Sequence, residues 1–221
     1  MKKIIITSRN AHFKIPYASK MQYTYEVPPI STVLGILRVL YGEDIDDFKF
    51  GYIFQYESKY TDIMKGHKIN VSNVRTIIKN NNKVEINQEK PLASDWIGRE
   101  YLYNCILKIY TDIDLPIKID YCLTMGRANC LARLHLPIKD VELINKEGKI
   151  INQYTPTDIG KGIIKPITYL SKYDKNIQSF QTKIKHLRFN KEVDYDKNYD
   201  IDEEQNIFLW HYYGGEIFAV R

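Results

Sequence analysis

The stretch YTYEVPPISTVLGILRVLYG, Tyr23–Gly42, decides how the chain is organised. Pro28 and Pro29 hold the backbone extended and then suit a helix start, with Ser31 or Thr32 placed to cap the exposed amides. Ile30, Val33, Leu34, Leu37, Leu40 and Tyr41 recur at intervals of three and four, so they form one apolar helical stripe. Gly42 stands where a helix stops. Gly35 inside the helix costs about 1 kcal/mol relative to Ala, which predicts a close neighbour there.

Outward from this corner the chain reads as mostly β. Before it, KIIITS (residues 3–8) starts a strand that runs on through Arg9 to Phe13 until Pro16 stops the ladder. After it, Phe48–Tyr56 and Tyr101–Tyr110 are rich in aromatic and β-branched residues and predict two further strands. Residues 58–98 between them are polar, with Gly66 and Asn80 to Asn82 as turn signals, and predict an excursion from the domain. Strand, helix, strand, excursion and strand predict a ferredoxin-like half sheet of the kind RNA-recognition domains use, with its second helix at Leu115–Met125. Beyond Leu136-Pro137 short β runs at 138–145, 149–154, 163–170, 182–189 and 206–220 predict a small second domain. The expected division is therefore 1–136, an RNA-binding α+β domain, and 137–221, a β-rich one.

With 44% apolar residues, 221 positions fill one sizeable core or two small ones. No apolar run approaches the roughly 18 residues of a membrane span, and Ile4–Ile6 is too short a block for a secretory signal. Cys105, Cys122 and Cys130 are odd in number and lack the pairing of a zinc or redox motif. Together these predict a cytoplasmic protein whose cysteines are core residues.

The net charge of +5 has one location: residues 1–25 hold Lys2, Lys3, Arg9, Lys14 and Lys20 and no acidic residue, and the remainder is balanced. Such concentration suits a polyanion contact made by one element, or a solvated strand face. Lysines outnumber arginines 24 to 8, a bias that an AT-rich genome also produces.

Catalytic motifs are sparse. Asp194, Asp196, Asn198, Asp200 and Asp202 alternate like a calcium loop, but Tyr199 and Gln205 replace the glycine and the glutamate such a loop needs, so a solvated acidic loop is expected. His12, His67, His135, His186 and His211 show no metal-ligand spacing, and no phosphate-cradling glycine loop or nucleophile elbow occurs. No metal or cofactor is expected. A metal-independent endoribonuclease needs only a base, an acid and a cation, so His12 or His67 keeps that alternative open. What stands out is an RNA-binding set: Arg9, Asn10, His12, Lys14, Lys20, Tyr23 and Tyr25 mix phosphate-seeking cations with rings on which bases can stack. Arg9 and Lys14 suit phosphate contact or a plain surface. His12 suits a base contact or a structural role, and Phe13 suits the core. In TMGRANC (124–130), Gly126 lets backbone approach a ligand and Arg127 can fork onto a phosphate.

These pieces together resemble the CRISPR-associated Cas-five family. The likeness lies in Ala11, Phe13 and Pro16 of NAHFKIP, in Tyr25, Val27, Pro28, Pro29, Ser31, Gly35 and Leu37 of YEVPPISTVLGIL, and in Gly126-Arg127, where Met125 and Ala128 replace the family's flanking Leu and Ser. The C-terminal half matches in length and β character. The resemblance implies a ferredoxin-like domain of the RAMP superfamily with a protruding thumb, here 58–98, and a variable C-terminal β part. It also implies a role in antiviral defence as a non-catalytic Cascade subunit. Its partners would be the 5′ handle of the crRNA, the backbone subunit and the large subunit, with target DNA met only through the complex. The type I-B branch is the most similar. In the I-C branch the corresponding protein cuts precursor crRNA without metal.

Overall fold

A computed structural model describes residues 1–16, 21–42, 45–69, 74–79, 82–87, 91–118, 122–142, 144–145, 148–174, 179–195, 199–201 and 205–220. Lys20, Asp196, Asn198 and Asp202 lie outside the described residues, as does the side chain of His67.

In chain order the elements are β1 (Lys2–Ala11), β2 (Met21–Gln22), α1 (Ile30–Tyr41), β3 (Asp47–Gln55), β4 (Ser58–Ile69), β5 (Val74–Lys79), β6 (Asn82–Asn87), β7 (Pro91–Thr111) and β8 (Ala132–Asp140). There follow β9 (Ile144–Asn145), β10 (Gly148–Thr155), β11 (Ile163–Asp174), β12 (Ser179–Tyr195), β13 (Tyr199–Ile201), β14 (Gln205–Ile207), β15 (Trp210–Tyr213) and β16 (Glu216–Ala219). The fold is α+β and almost wholly antiparallel, with one helix among the described residues. That helix is not long and apolar enough to cross a membrane.

The first sheet has the order β16-β15-β3-β7-β1-β8, with β4 and β2 attached to β7. The predicted stripe of α1 is buried throughout. Ile36 and Arg38, on the two flanks of the stripe, are buried too, and the outer side of α1, at Ser31 and Gly35, meets β11 of a second sheet, ordered β11-β12-β10-β14-β13-β9. One continuous core joins Ile4, Leu34 and Phe50 of the first half to Tyr154, Ile167 and Phe189 of the second.

The corner before α1 is fastened by tyrosines. Tyr52 Oη donates to Pro28 O (2.8 Å), Tyr154 Oη to Val27 O (3.3 Å) and Tyr25 Oη to Pro166 O (2.9 Å). Satisfying the two carbonyls that precede the helix, and tying Tyr25 across to β11, fixes its direction. Three details depart from expectation. Pro29 is the N-cap and no side chain caps the helix; Ser31 Oγ instead pairs with Thr168 Oγ1 at 2.7 Å, tying α1 to β11. Gly35 has only an ordinary neighbour, since a Cβ there would sit 3.9 Å from Leu170 Cδ1. Leu115–Met125 carries no helix at its described residues, where Pro116 and β-branched Ile117 and Thr124 disfavour one. Gly42 ends α1 as expected, at φ +103°, its N–H donating to Arg38 O at 2.8 Å.

Two strand pairings could not be foreseen. The excursion at 58–98 is a β ribbon, with β4 running against β7 from Ser58↔Tyr103 to Ile69↔Pro91 and β5 pairing with β6. The chain's last strands return to the first sheet, β15 pairing with β3 from Trp210↔Phe50 to Tyr213↔Asp47. The sheets therefore do not part at residue 136, which itself lies within β8.

Candidate nucleic-acid interface

Strand alternation sorts the side chains of β1. Ile4, Ile6 and Ser8 are buried toward α1, while Lys3, Ile5, Thr7 and Arg9 share the face that has no helix. The ladders add Lys108, opposite Ile5 on β7, and Arg133 and Lys139, opposite Thr7 and Lys3 on β8. The helix-free face is thus basic across three strands, and Arg9, at the end of β1, is exposed.

There the turn 124–131 docks. Its Thr124↔Leu131 bridge and the bond from Met125 N to Cys130 O (2.8 Å) close it, and His12 N donates to Met125 O at 3.3 Å. Gly126 has φ +96°, and a Cβ there would stand 2.2 Å from His12 O. The expectation that Gly126 admits a ligand is corrected: it admits the chain's own β1 end. The effect is to hold Arg127, half-buried, beside the residues that follow Arg9.

The other expected site residues separate. Lys14 is exposed and bridges Thr24, and Tyr23 is exposed. Asn10 is half-buried, with an enclosed Oδ1 that has no partner. Tyr25 is 5% exposed, because its ring anchors the corner; it offers no stacking surface. His12 is 1% exposed, its Nδ1–H donating to Glu100 O at 2.6 Å, while Nε2 is enclosed without a partner. Burial pulls its pKa below 6.5, and the charges of Arg127 and Arg99 add to that, against a raising effect from its bond to Glu100 O and a smaller one from the Glu100 carboxylate. His12 is thus an enclosed imidazole held by the Glu100 carbonyl. A group with a lowered folded pKa contributes stability above its unfolded value and loses it as pH falls through the folded one. Urea midpoints are therefore expected to decline from about pH 6.5 downward, with a shallower decline in His12→Gln.

Sequence reasoning missed the root of the ribbon. Tyr60, 39% exposed, stacks on Tyr101 with ring centres 5.6 Å apart, and His12 lies 5.6 Å from the same Tyr101 ring. Asn129 Nδ2 donates to Tyr101 Oη at 3.3 Å, stitching the Arg127 turn to β7. Arg99 donates to the same oxygen at 3.0 Å. Farther out, on the ribbon's other face, Lys65 lies over exposed Trp96 with its ammonium 5.8 Å from the ring centre. Arg99 and Glu100 fell in the seam between the expected excursion, ending at 98, and the expected strand, starting at 101. Cations, one open tyrosine face and a basic sheet make an arrangement able to bind a single-stranded polyanion.

No family model matches the sequence, and no curated protein matches it. Among solved structures the chain is similar to a chain of a CRISPR RNA-guided surveillance complex, with a TM-score of 0.48 and 10% identity over 87% of this chain and 91% of that one. It is also similar to a chain from the structure of the Type III-B Cmr-beta bound to cognate target RNA and AMPPnP, with a TM-score of 0.49 and 11% identity over 87% and 86% of the two chains.

Proposed function

We propose that this chain is a non-catalytic crRNA-binding subunit of a type I CRISPR Cascade complex, most like the I-B branch, that holds the 5′ handle in the cytoplasm. The observation that carries the proposal is the seating of the Gly126 turn on the end of β1. It brings Arg127, one of two sequence-distant motifs of the Cas-five resemblance, to the basic strand end that holds the other. The strand order β8-β1-β7-β3, with α1 crossing from β1 to β3, supports the expected ferredoxin-like sheet, and the β4–β7 ribbon, which falls within the expected excursion, supports the reading of that excursion as a thumb. RNA would lie as a splayed strand, its phosphates on Arg9 and Arg127 and a base on Tyr60. The backbone and large subunits would be its protein partners.

Arg9→Ala with Arg127→Ala is expected to weaken binding of a 5′-handle RNA by at least about tenfold at moderate salt, and to lower the salt slope by about 0.7 for each phosphate no longer neutralised. Unchanged affinity would remove these residues from the interface. Burial of His12 supports the non-catalytic assignment. Repeat RNA incubated with the protein and EDTA is expected to stay intact, and discrete products abolished by His12 or His67 substitution would overturn it.

A further inference from the structure

Arg99 brings a charge into the protein that no described group neutralises. It is 9% exposed, and its acceptors are Gln22 Oε1 (2.9 Å from Nε), Met64 Sδ (2.9 Å from Nη1) and Tyr101 Oη (3.0 Å from Nη1), all neutral. Asp62, its cross-strand partner, makes no ion pair with it. Glu100 points to the ribbon's other face, where its carboxylate accepts from Thr24 N and Lys59 Nζ. A buried cation without a counter-ion is costly, so one held this firmly needs an anion from elsewhere.

Its neighbours show which kind. Tyr101 Oη accepts from both Arg99 and Asn129, which leaves its own O–H without an acceptor among the described residues. Arg127, two residues before Asn129, has no ion pair among the described residues either. The charges of Arg99 and Arg127 both bear on His12 and Cys130, so the two guanidiniums share one neighbourhood. Apart from the enclosed His12 Nε2, the uncommitted groups there are donors: the remaining N–H groups of the two arginines and the Tyr101 hydroxyl. A ligand with acceptors only, spread over several directions, fits; a phosphate group has that form, and arginine is the side chain that matches it best.

We propose that Arg99, with Arg127 and the Tyr101 hydroxyl, holds one phosphate group at the root of the ribbon. That this phosphate is an RNA phosphodiester rests on the function proposed above; the anion site itself does not.

Two arms separate these claims. In the first, the full chain is melted in sodium phosphate, sodium acetate and sodium chloride at equal ionic strength. Wild type is expected to melt higher in phosphate than in the other two, with the gain abolished in Arg99→Met and partly kept in Arg99→Lys. An equal gain in Arg99→Met, no gain in wild type, or an equal gain in acetate overturns the phosphate site. Should Arg99→Met fail to melt cooperatively, Tyr101→Phe decides: a reduced gain supports the site and an undiminished one overturns it. In the second arm, Arg99→Met is expected to bind 5′-handle RNA at least about tenfold more weakly, with a salt slope smaller by about 0.7. Handle binding and slope unchanged in Arg99→Met would sink the assignment of this site to an RNA phosphodiester and leave the RNA function standing. An Arg99-dependent phosphate gain in a protein that binds no handle RNA would do the reverse.

Discussion

The fragment 1–136 is expected to stay unfolded under conditions where the full chain melts cooperatively. Cutting there removes β11, which covers the outer side of α1, and β15, the neighbour that closes β3. Phe48, Phe50 and Tyr52, all at most 4% exposed, would face water on at least one side. Each such side chain is worth about 1.5–3 kcal/mol when buried, so uncovering a few exceeds the usual 5–15 kcal/mol of net stability at its lower end. The cut also leaves Arg38 without Tyr212, whose hydroxyl accepts its Nη2–H at 2.6 Å, and the corner without its bonds to Tyr154 and Pro166. Far-ultraviolet circular dichroism with a urea titration decides the matter. A cooperative transition in the fragment would establish two independently folding domains.

Gly126→Val is expected to cost roughly 2–5 kcal/mol and to abolish handle binding with it. The left-handed φ costs about 1–2 kcal/mol in any residue with a Cβ and more in a β-branched one. The new atom would meet His12 O at 2.2 Å and Phe13 Cδ1 at 3.0 Å, a buried backbone carbonyl just past β1 and a core ring that cannot swing aside; overpacking of that sort costs typically about 1–3 kcal/mol. Relief requires the turn to lift from β1, carrying Arg127 away. The contrast with Arg127→Ala is the useful part. That variant should bind RNA more weakly with its urea midpoint unchanged, because a half-exposed arginine with no ion pair among the described residues contributes little to folding. If Gly126→Val leaves both midpoint and affinity intact, the turn is not seated as described.

What could be foreseen follows from periodicity. Repeats of 3.6 residues place the α1 stripe correctly, since each depends only on neighbours in the chain. They do not name partners. The run 206–220 is visibly β, yet nothing within it says that Trp210 will lie opposite Phe50 rather than within a second domain. For the same reason the outer side of α1 gives no warning that it is covered, because Ser31 and Arg38 only make sense beside Thr168 and Tyr212. At the candidate site the residue types were legible and their duties were not. Gly126 was singled out for the right freedom and the wrong neighbour. His12 and Tyr25 were picked as polar rings near cations, and both are spent on the chain's own carbonyls. Arg99 shows no signal in sequence, since one arginine at the edge of a polar excursion looks like any solvated cation until its burial is known.

The length of β7 has a mechanical meaning. Its twenty-one residues are one unbroken strand, clamped between β1 and β3 over its C-terminal part and carrying the ribbon on its N-terminal part. That makes the ribbon a cantilever built into the centre of the sheet. At about 3.3 Å per residue, the eleven positions beyond Leu102 reach roughly 36 Å, and their aim is set by the wall they grow from. A load at the tip is therefore a torque on the core, and the beam's irregular points are Asn104, at φ +52°, and the register shift between Lys68 and Ile69.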